Sequence, residues 1–308
     1  MPDLAVHLGG HHRCFDEALA LVQRAEELGY RAAYVDGDVS VVPSRGDAPV
    51  LEGWTATVAM LTRTSRIEIG SIRIARQWNA ARLAQAVATA EVIAPGRLRF
   101  LISIGAQPAD RRFGFPMPPP GERIDWLDAL LGALRRLWAG ESVTISGRFV
   151  RLDEAIVRPL PRGGRMPIEV GGAGERLLAV VARHADRWDL NVPPVAARVR
   201  AATLRLEAAC AAIGRDPASI GRSIWIFARP GRPAKDPDLA AEFRRWQPWF
   251  GSLPDAELSE AILAGPIPAC RARIATLRDD LGIDLPVLDL AGLTQLEAEA
   301  ALESMAGA

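Results

Sequence analysis

Three of the four histidines in this 308-residue chain fall in one short stretch, HLGGHHRCF, residues 7 to 15. Imidazole titrates near neutral pH, so such a cluster suits proton transfer, substrate contact or metal binding. The spacing is poor for a metal. His11 and His12 are adjacent, neither H-x-H nor H-E-x-x-H occurs, and His184 lies far along the chain, so we expect no metal-activated water. Two carboxylates, Asp36 and Asp38, close the run AAYVDGD. A proton-bearing pair of histidine and aspartate is the chemistry these types allow, and a neutral polar loop is the alternative.

Two further stretches carry chemistry. In EVGGAGER, residues 169 to 176, an apolar run enters Gly171, Gly172, Ala173 and Gly174 and then a helical segment. Unhindered backbone N–H groups and a positive helix end could cradle a phosphate there, although the full G-x-G-x-x-G pattern is missing and such turns also serve only to redirect the chain. In GSIRIARQWN, Arg73, Arg76, Trp78 and Asn79 follow a strand pattern directly. Cationic and aromatic side chains so placed could receive a flat anionic cofactor, or could simply pack and be solvated. Nucleophilic catalysis has little support: no G-x-S-x-G elbow occurs. The one lysine, Lys235, sits in the loop-like GRPAKDPD, a poor place for a Schiff base.

The elements that must position these residues alternate along the whole chain. Apolar runs of strand length (LAVHL, AAYV, RIEIGSI, LRFLISIG, PIEV, RWDLNV, SIWIFAR, LPVLDL) are each followed by helical periodicity. Gly29 should end the first helix and Asn79 should cap the third. ESVTISGRFVRLDEAIV alternates in period two around Ser146-Gly147 and predicts an external hairpin, and residues 231 to 265 form a less regular insertion. Eight strands and eight principal helices in strict alternation predict one (β/α)8 TIM barrel over residues 1–308, with an open doubly wound sheet as the alternative. On the barrel the loops after the strands share one face. That face would gather His7 to Arg13, Asp36 to Asp38, Gly70 to Asn79 and Gly105 to Asp110.

Composition narrows the partners. Thirty-seven basic and 37 acidic residues cancel, and no block of one sign suggests nucleic acid or a membrane surface. No uncharged apolar run reaches the roughly 18 residues a spanning helix needs. Three scattered cysteines and an amino terminus without a signal pattern fit a reducing cytoplasm. A small or neutral partner is expected.

Taken together, RAEELGYRAAYVDGD, ATVAMLTRTSRIEIGS, NAARLAQAVATAEVIAPGRLRFLISIG, RFGFP with ERIDWLDALLGALRRLW and SGRFVRL, PIEVGGAGERLLAVVARHADRW and LGIDLPVLDLAGL resemble the bacterial luciferase-like superfamily in order and spacing. The resemblance implies a barrel holding the deazaflavin F420, with FMN as the alternative, and a homodimer. Position by position it makes Ser71, Ile72 and Arg73 a bulge behind the ring, often with a non-proline cis peptide. It makes Asn79, Gly105 and Ala106 ring or ribityl contacts, and Gly171, Gly172, Ala173 and Gly174 the phosphate cradle.

The chain also departs from its resemblance. Sugar-phosphate dehydrogenases of the superfamily carry histidine where this chain has Asp38 and glutamate near Gln107, and glutamine cannot move a proton. His11, His12 and Asp38 are therefore the expected catalytic groups, with Asp110 in reach and with His7, Asp36 and Gln107 as substrate contacts. The expected reaction is hydride transfer from reduced F420 to an activated C=C or C=N bond, in natural-product biosynthesis, for example dehydroalanine in a ribosomal peptide. The alternatives are an FMN monooxygenase and a barrel that only binds its cofactor.

Overall fold

The computed structural model describes residues 3–9, 13–37, 50–105 and 108–307. Its first half runs β1 (Ala5–His7), α1 (Phe15–Glu27), β2 (Ala32–Val35), α2 (Gly53–Thr62), β3 (Glu68–Ile74), α3 (Ala80–Ile93), β4 (Leu98–Ser103) and α4 (Pro120–Trp138). A two-stranded antiparallel hairpin follows, β5 (Val143–Ser146) and β6 (Arg151–Ala155). The second half is β7 (Ile168–Gly171), α5 (Glu175–His184), β8 (Arg187–Asp189), α6 (Ala196–Ala211), β9 (Gly221–Pro230), α7 (Leu239–Trp246), α8 (Asp255–Ala261), β10 (Ile262–Gly265), α9 (Ile267–Asp279), β11 (Leu285–Asp289) and α10 (Gln295–Met305).

Strands pair in the order β11-β1-β2-β3-β4-β7-β8, and β9 pairs with both β8 and β11, so a parallel sheet closes on itself as an eight-stranded barrel. Each strand is covered outside by helices, which is why strands such as LRFLIS are buried on nearly every residue. Local chemistry agrees with the register. Gly29 takes φ +83, and the bond from Tyr30 N to Ala25 O, 2.9 Å, closes α1 in the left-handed way that glycine permits. Asn79 Oδ1 accepts from Arg82 N at 3.1 Å and caps α3.

Two expectations are corrected. The segment 231–265 is ordered structure: α7 and α8 lead into β10, which pairs in parallel with the last residues of β9, Phe227 to Pro230. Its own apolar cluster, Phe227, Leu239, Phe243 and Leu258 among others, explains why it folds on the barrel rim. The cis peptide expected near Ser71–Arg73 is not there. β3 pairs continuously with β2 and β4, and among the described residues the one cis bond is Arg158–Pro159.

Candidate active site

Strand alternation decides which side chains enter the barrel. Near its base, Glu169 on β7 takes hydrogen bonds from Tyr34 Oη (2.9 Å), Arg99 Nη2 (2.8 Å), Arg99 Nε (3.1 Å) and Ser223 Oγ (2.7 Å). Arg99 also reaches Glu68 at 3.0 Å. Burial pushes the Glu169 carboxyl up, but Arg99 and these donors outweigh it and hold the group below the usual carboxylate range. A satisfied polar plug therefore fills the base, and Ile72, Leu101, Leu285 and Val287 pack with Tyr34 in the same interior.

At the carboxyl ends of the strands, His7 stands between two aspartates. Its Nδ1 is 2.7 Å from Asp289 Oδ1 and its Nε2 is 3.1 Å from Asp36 Oδ1. The imidazole lies against the indole of Trp225, ring centroids 4.4 Å apart. Burial opposes charge on His7, yet the two carboxylates outweigh it and raise the pKa to about 10. The ring is an imidazolium at neutral pH, with both nitrogens donating. Gln247, just past α7, donates to the other oxygen of Asp289, and Ala291 N donates to Oδ1 at 3.0 Å. The inserted segment is thereby wired to the first strand.

The remaining expected residues divide. Ile72 faces the interior. Ser71 and Arg73 turn outward: Ser71 Oγ meets Thr57 Oγ1 at 2.7 Å and Gly53 O at 3.0 Å. The guanidinium of Arg73 is buried near Trp54 (5.6 Å) and Trp78 (5.9 Å), with Glu52 at 3.6 Å. Arg73 and Trp78 thus fasten α2 to the barrel, and their side chains do not present a docking face for a flat cofactor. Asn79 spends its side chain on the α3 cap. Gly105 has φ +64 and adjoins two arginines, since Arg76 Nη1 donates to Ile104 O at 2.8 Å and Arg123 donates to Gly105 O.

Gly171 faces the interior, and a Cβ there would lie 3.2 Å from Asp189 Oδ2 and 3.6 Å from Leu101. Gly172 has φ +131, and its Cβ would meet Leu177 Cδ2 at 2.2 Å; Gly174, the amino cap of α5, meets nothing within 4 Å. The turn is open at Gly174, where a phosphate could meet backbone N–H groups, with the exposed Glu175 as an adverse charge. His11, His12, Asp38, Ala106 and Gln107 lie outside the described residues.

Sequence reading passed over Asp289, Asp189, Trp225 and Gln247. The signal for the aspartates was present: LPVLD and RWD each end an apolar strand in a carboxylate, on the face where barrels keep chemistry. Nothing local marks Gln247.

Residues 4–236 match the luciferase-like monooxygenase family. The chain belongs to that family. Among its relatives, the luciferase-like barrel is 27% identical over 270 residues to an F420-dependent hydroxymycolic acid dehydrogenase of Mycobacterium tuberculosis, covering 86% of this chain and 73% of that one. It is 31% identical over 170 residues to an F420-dependent glucose-6-phosphate dehydrogenase of Intrasporangium calvum, covering 53% and 49%. It spans 65% of the length of an uncharacterised M. tuberculosis relative matched at 28% identity. A solved F420-dependent secondary alcohol dehydrogenase superposes with TM-score 0.84 at 17% identity over 98% of both chains. An EDTA monooxygenase superposes at 0.81 and 13% identity, over 98% of this chain and 92% of that one. Both solved structures share the fold, so fold alone does not separate the two chemistries.

Proposed function

We propose that this luciferase-like barrel is an F420-dependent reductase that acts on an electron-poor C=C or C=N bond. The observation that carries the reading is the arrangement at the strand ends: the glycine-rich turn Gly171–Gly174 beside the inward-facing apolar side chains Ile72 and Leu101, with His7 held between Asp36 and Asp289. The names of the relatives at 27% and 31% identity support F420 over FMN.

The backbone N–H groups of Ala173, Gly174 and the first turn of α5 would hold the phosphate, and Ile72, Leu101 and Gly171 would bound the ring. F420, when bound, supplies a two-electron hydride carrier. The chain's own work is orientation, exclusion of water and proton supply. The His7 imidazolium fixes Asp36 and Asp289 at the rim, where Asp36 and His7 would contact substrate. His11, His12 and Asp38 are proposed as proton carriers, with Asn79, Gly105, Ala106 and Gln107 as further contacts. Dehydroalanine in a ribosomal peptide, as part of natural-product biosynthesis, is the substrate class we put forward, and a homodimer the assembly.

Titration of the purified protein with F420 and with FMN, followed by fluorescence, tests the reading. We expect saturable F420 binding, then oxidation of reduced F420 by an activated alkene. Binding of FMN alone would instead support a monooxygenase, and binding of neither would support a barrel without redox chemistry.

A further inference from the structure

We propose that Asp189 is the acid that protonates the substrate in this mouth. The inference rests on the reductase reading above and assigns the final proton transfer to substrate, which His11, His12 and Asp38 would feed as relays, to the carboxyl at the end of β8.

Asp189 is the last residue of β8. Its neighbour Trp188 points outward, Nε1 bonded to Gly172 O at 2.8 Å, so alternation turns Asp189 inward. The residue is 6% exposed. Oδ2 faces the gap that Gly171 leaves by lacking a side chain, a space also bordered by Leu101 and Ser103. The one protein hydrogen bond to its carboxyl among the described residues comes from Asn191 N to Oδ1, at 3.4 Å.

Among the described residues, the other inward carboxyls named above are engaged by cations or donors. Glu169 is saturated by Arg99, Tyr34 and Ser223, while Asp36 and Asp289 grip the His7 imidazolium. Asp189 has no cationic partner among the described residues. The charged groups around it are Glu169 on β7, Arg99 on β4 and Arg187 on its own strand, with His7, Asp36 and Asp289 across the mouth. Arg99 and Arg187 are directed at the Glu68 and Glu169 charges, so Asp189 is left with burial and with repulsion from Glu169. These two causes, in that order, raise its pKa to about 8. A carboxyl kept neutral at physiological pH can donate, which its ionised neighbours cannot.

The step balances. The Asp189 O–H bond breaks, its electron pair stays on the carboxylate, and the proton goes to the substrate nitrogen or carbon adjoining the hydride acceptor. The two electrons come from the reduced cofactor of the proposed reading. Glu169 then favours recapture of a solvent proton by Asp189, which restores the acid.

Infrared spectroscopy of the cofactor-free protein across pH, in wild type and Asp189→Asn, tests this directly. We expect the carbonyl stretch of a protonated carboxyl to disappear as pH rises through about 8, and to be missing in the variant. Gly171→Ala places a methyl group 3.2 Å from Oδ2 and should shift that band, which keeps the assignment decidable should Asp189→Asn not fold. With reduced F420 and 2-cyclohexen-1-one or an N-acetyl dehydroalanine ester as acceptor, Asp189→Asn should lower kcat about 10²- to 10⁴-fold while F420 binding is unchanged. Asp189→Glu should recover part of the rate. A band that persists in Asp189→Asn, a wild type with no such band, or a variant within about twofold of wild-type turnover would overturn the assignment alone. A wild type that binds no F420, or binds it and reduces neither acceptor, would overturn the reductase reading, and the role of Asp189 with it.

Discussion

The Nδ1 of His7 and the Oδ1 of Asp289 meet at 2.7 Å across 282 residues of chain, fastening the first barrel strand to the last. Replacing His7 with alanine removes the cation that Asp36 and Asp289 share. Loss of one partner from a buried pair costs about 3–5 kcal/mol, and we expect that loss in chemical denaturation of His7→Ala at pH 7.

The same pair fixes a pH dependence. The folded pKa of His7, about 10, lies above the ordinary 6.5, so the stability it contributes is full below about pH 6.5 and declines as pH rises through 10. Denaturation midpoints of the wild type should fall across that window. His7→Asn, which cannot titrate, should show a flatter profile, and matching slopes would refute the imidazolium.

The buried plug works in the opposite sense. Glu169 is held below 4.5, so its contribution is present above that value and is lost as pH falls through the lower folded pKa. Glu169→Gln should cost about 3 kcal/mol, the low end for a broken buried pair, because Arg99 keeps Glu68 at 3.0 Å. Its acid-unfolding curve should be shallower than that of the wild type.

Gln247 ties the inserted segment to the rim through Asp289. Gln247→Ala removes a donor from a buried carboxylate, about 1.5–3 kcal/mol. Hydrogen exchange should speed up in α7 while α4 stays protected. Unchanged exchange in α7 would mean that its apolar cluster alone holds it.

At the glycine turn, Gly172→Ala must adopt φ +131 and displace Leu177. A backbone strain of about 1–3 kcal/mol is expected, read as a lowered melting temperature. Adding Leu177→Ala should not restore it, because the backbone angle and not the contact is the larger obstacle.

The barrel was legible because apolar barrel strands alternate with helices along the chain, and Gly29 and Asn79 behave as their local chemistry demands. The site was only partly legible. His7, Asp36, Ile72 and Gly171 gather at the mouth, since a strand's last inward residue is fixed by period alone. Arg73 misled because outward and inward positions one residue apart look alike in sequence, and only the Trp54–Trp78 pocket distinguishes them. Asp289 reaches His7 through closure of the sheet, and Gln247 reaches Asp289 through the insertion, relationships with no local trace.

The Arg99–Glu169–Tyr34–Ser223 plug closes one end of the barrel. Two molecules that share the remaining opening must queue: the one seated deeper enters first and leaves last. Initial-rate kinetics should accordingly show compulsory order, with product from the outer seat departing before the inner occupant can be exchanged.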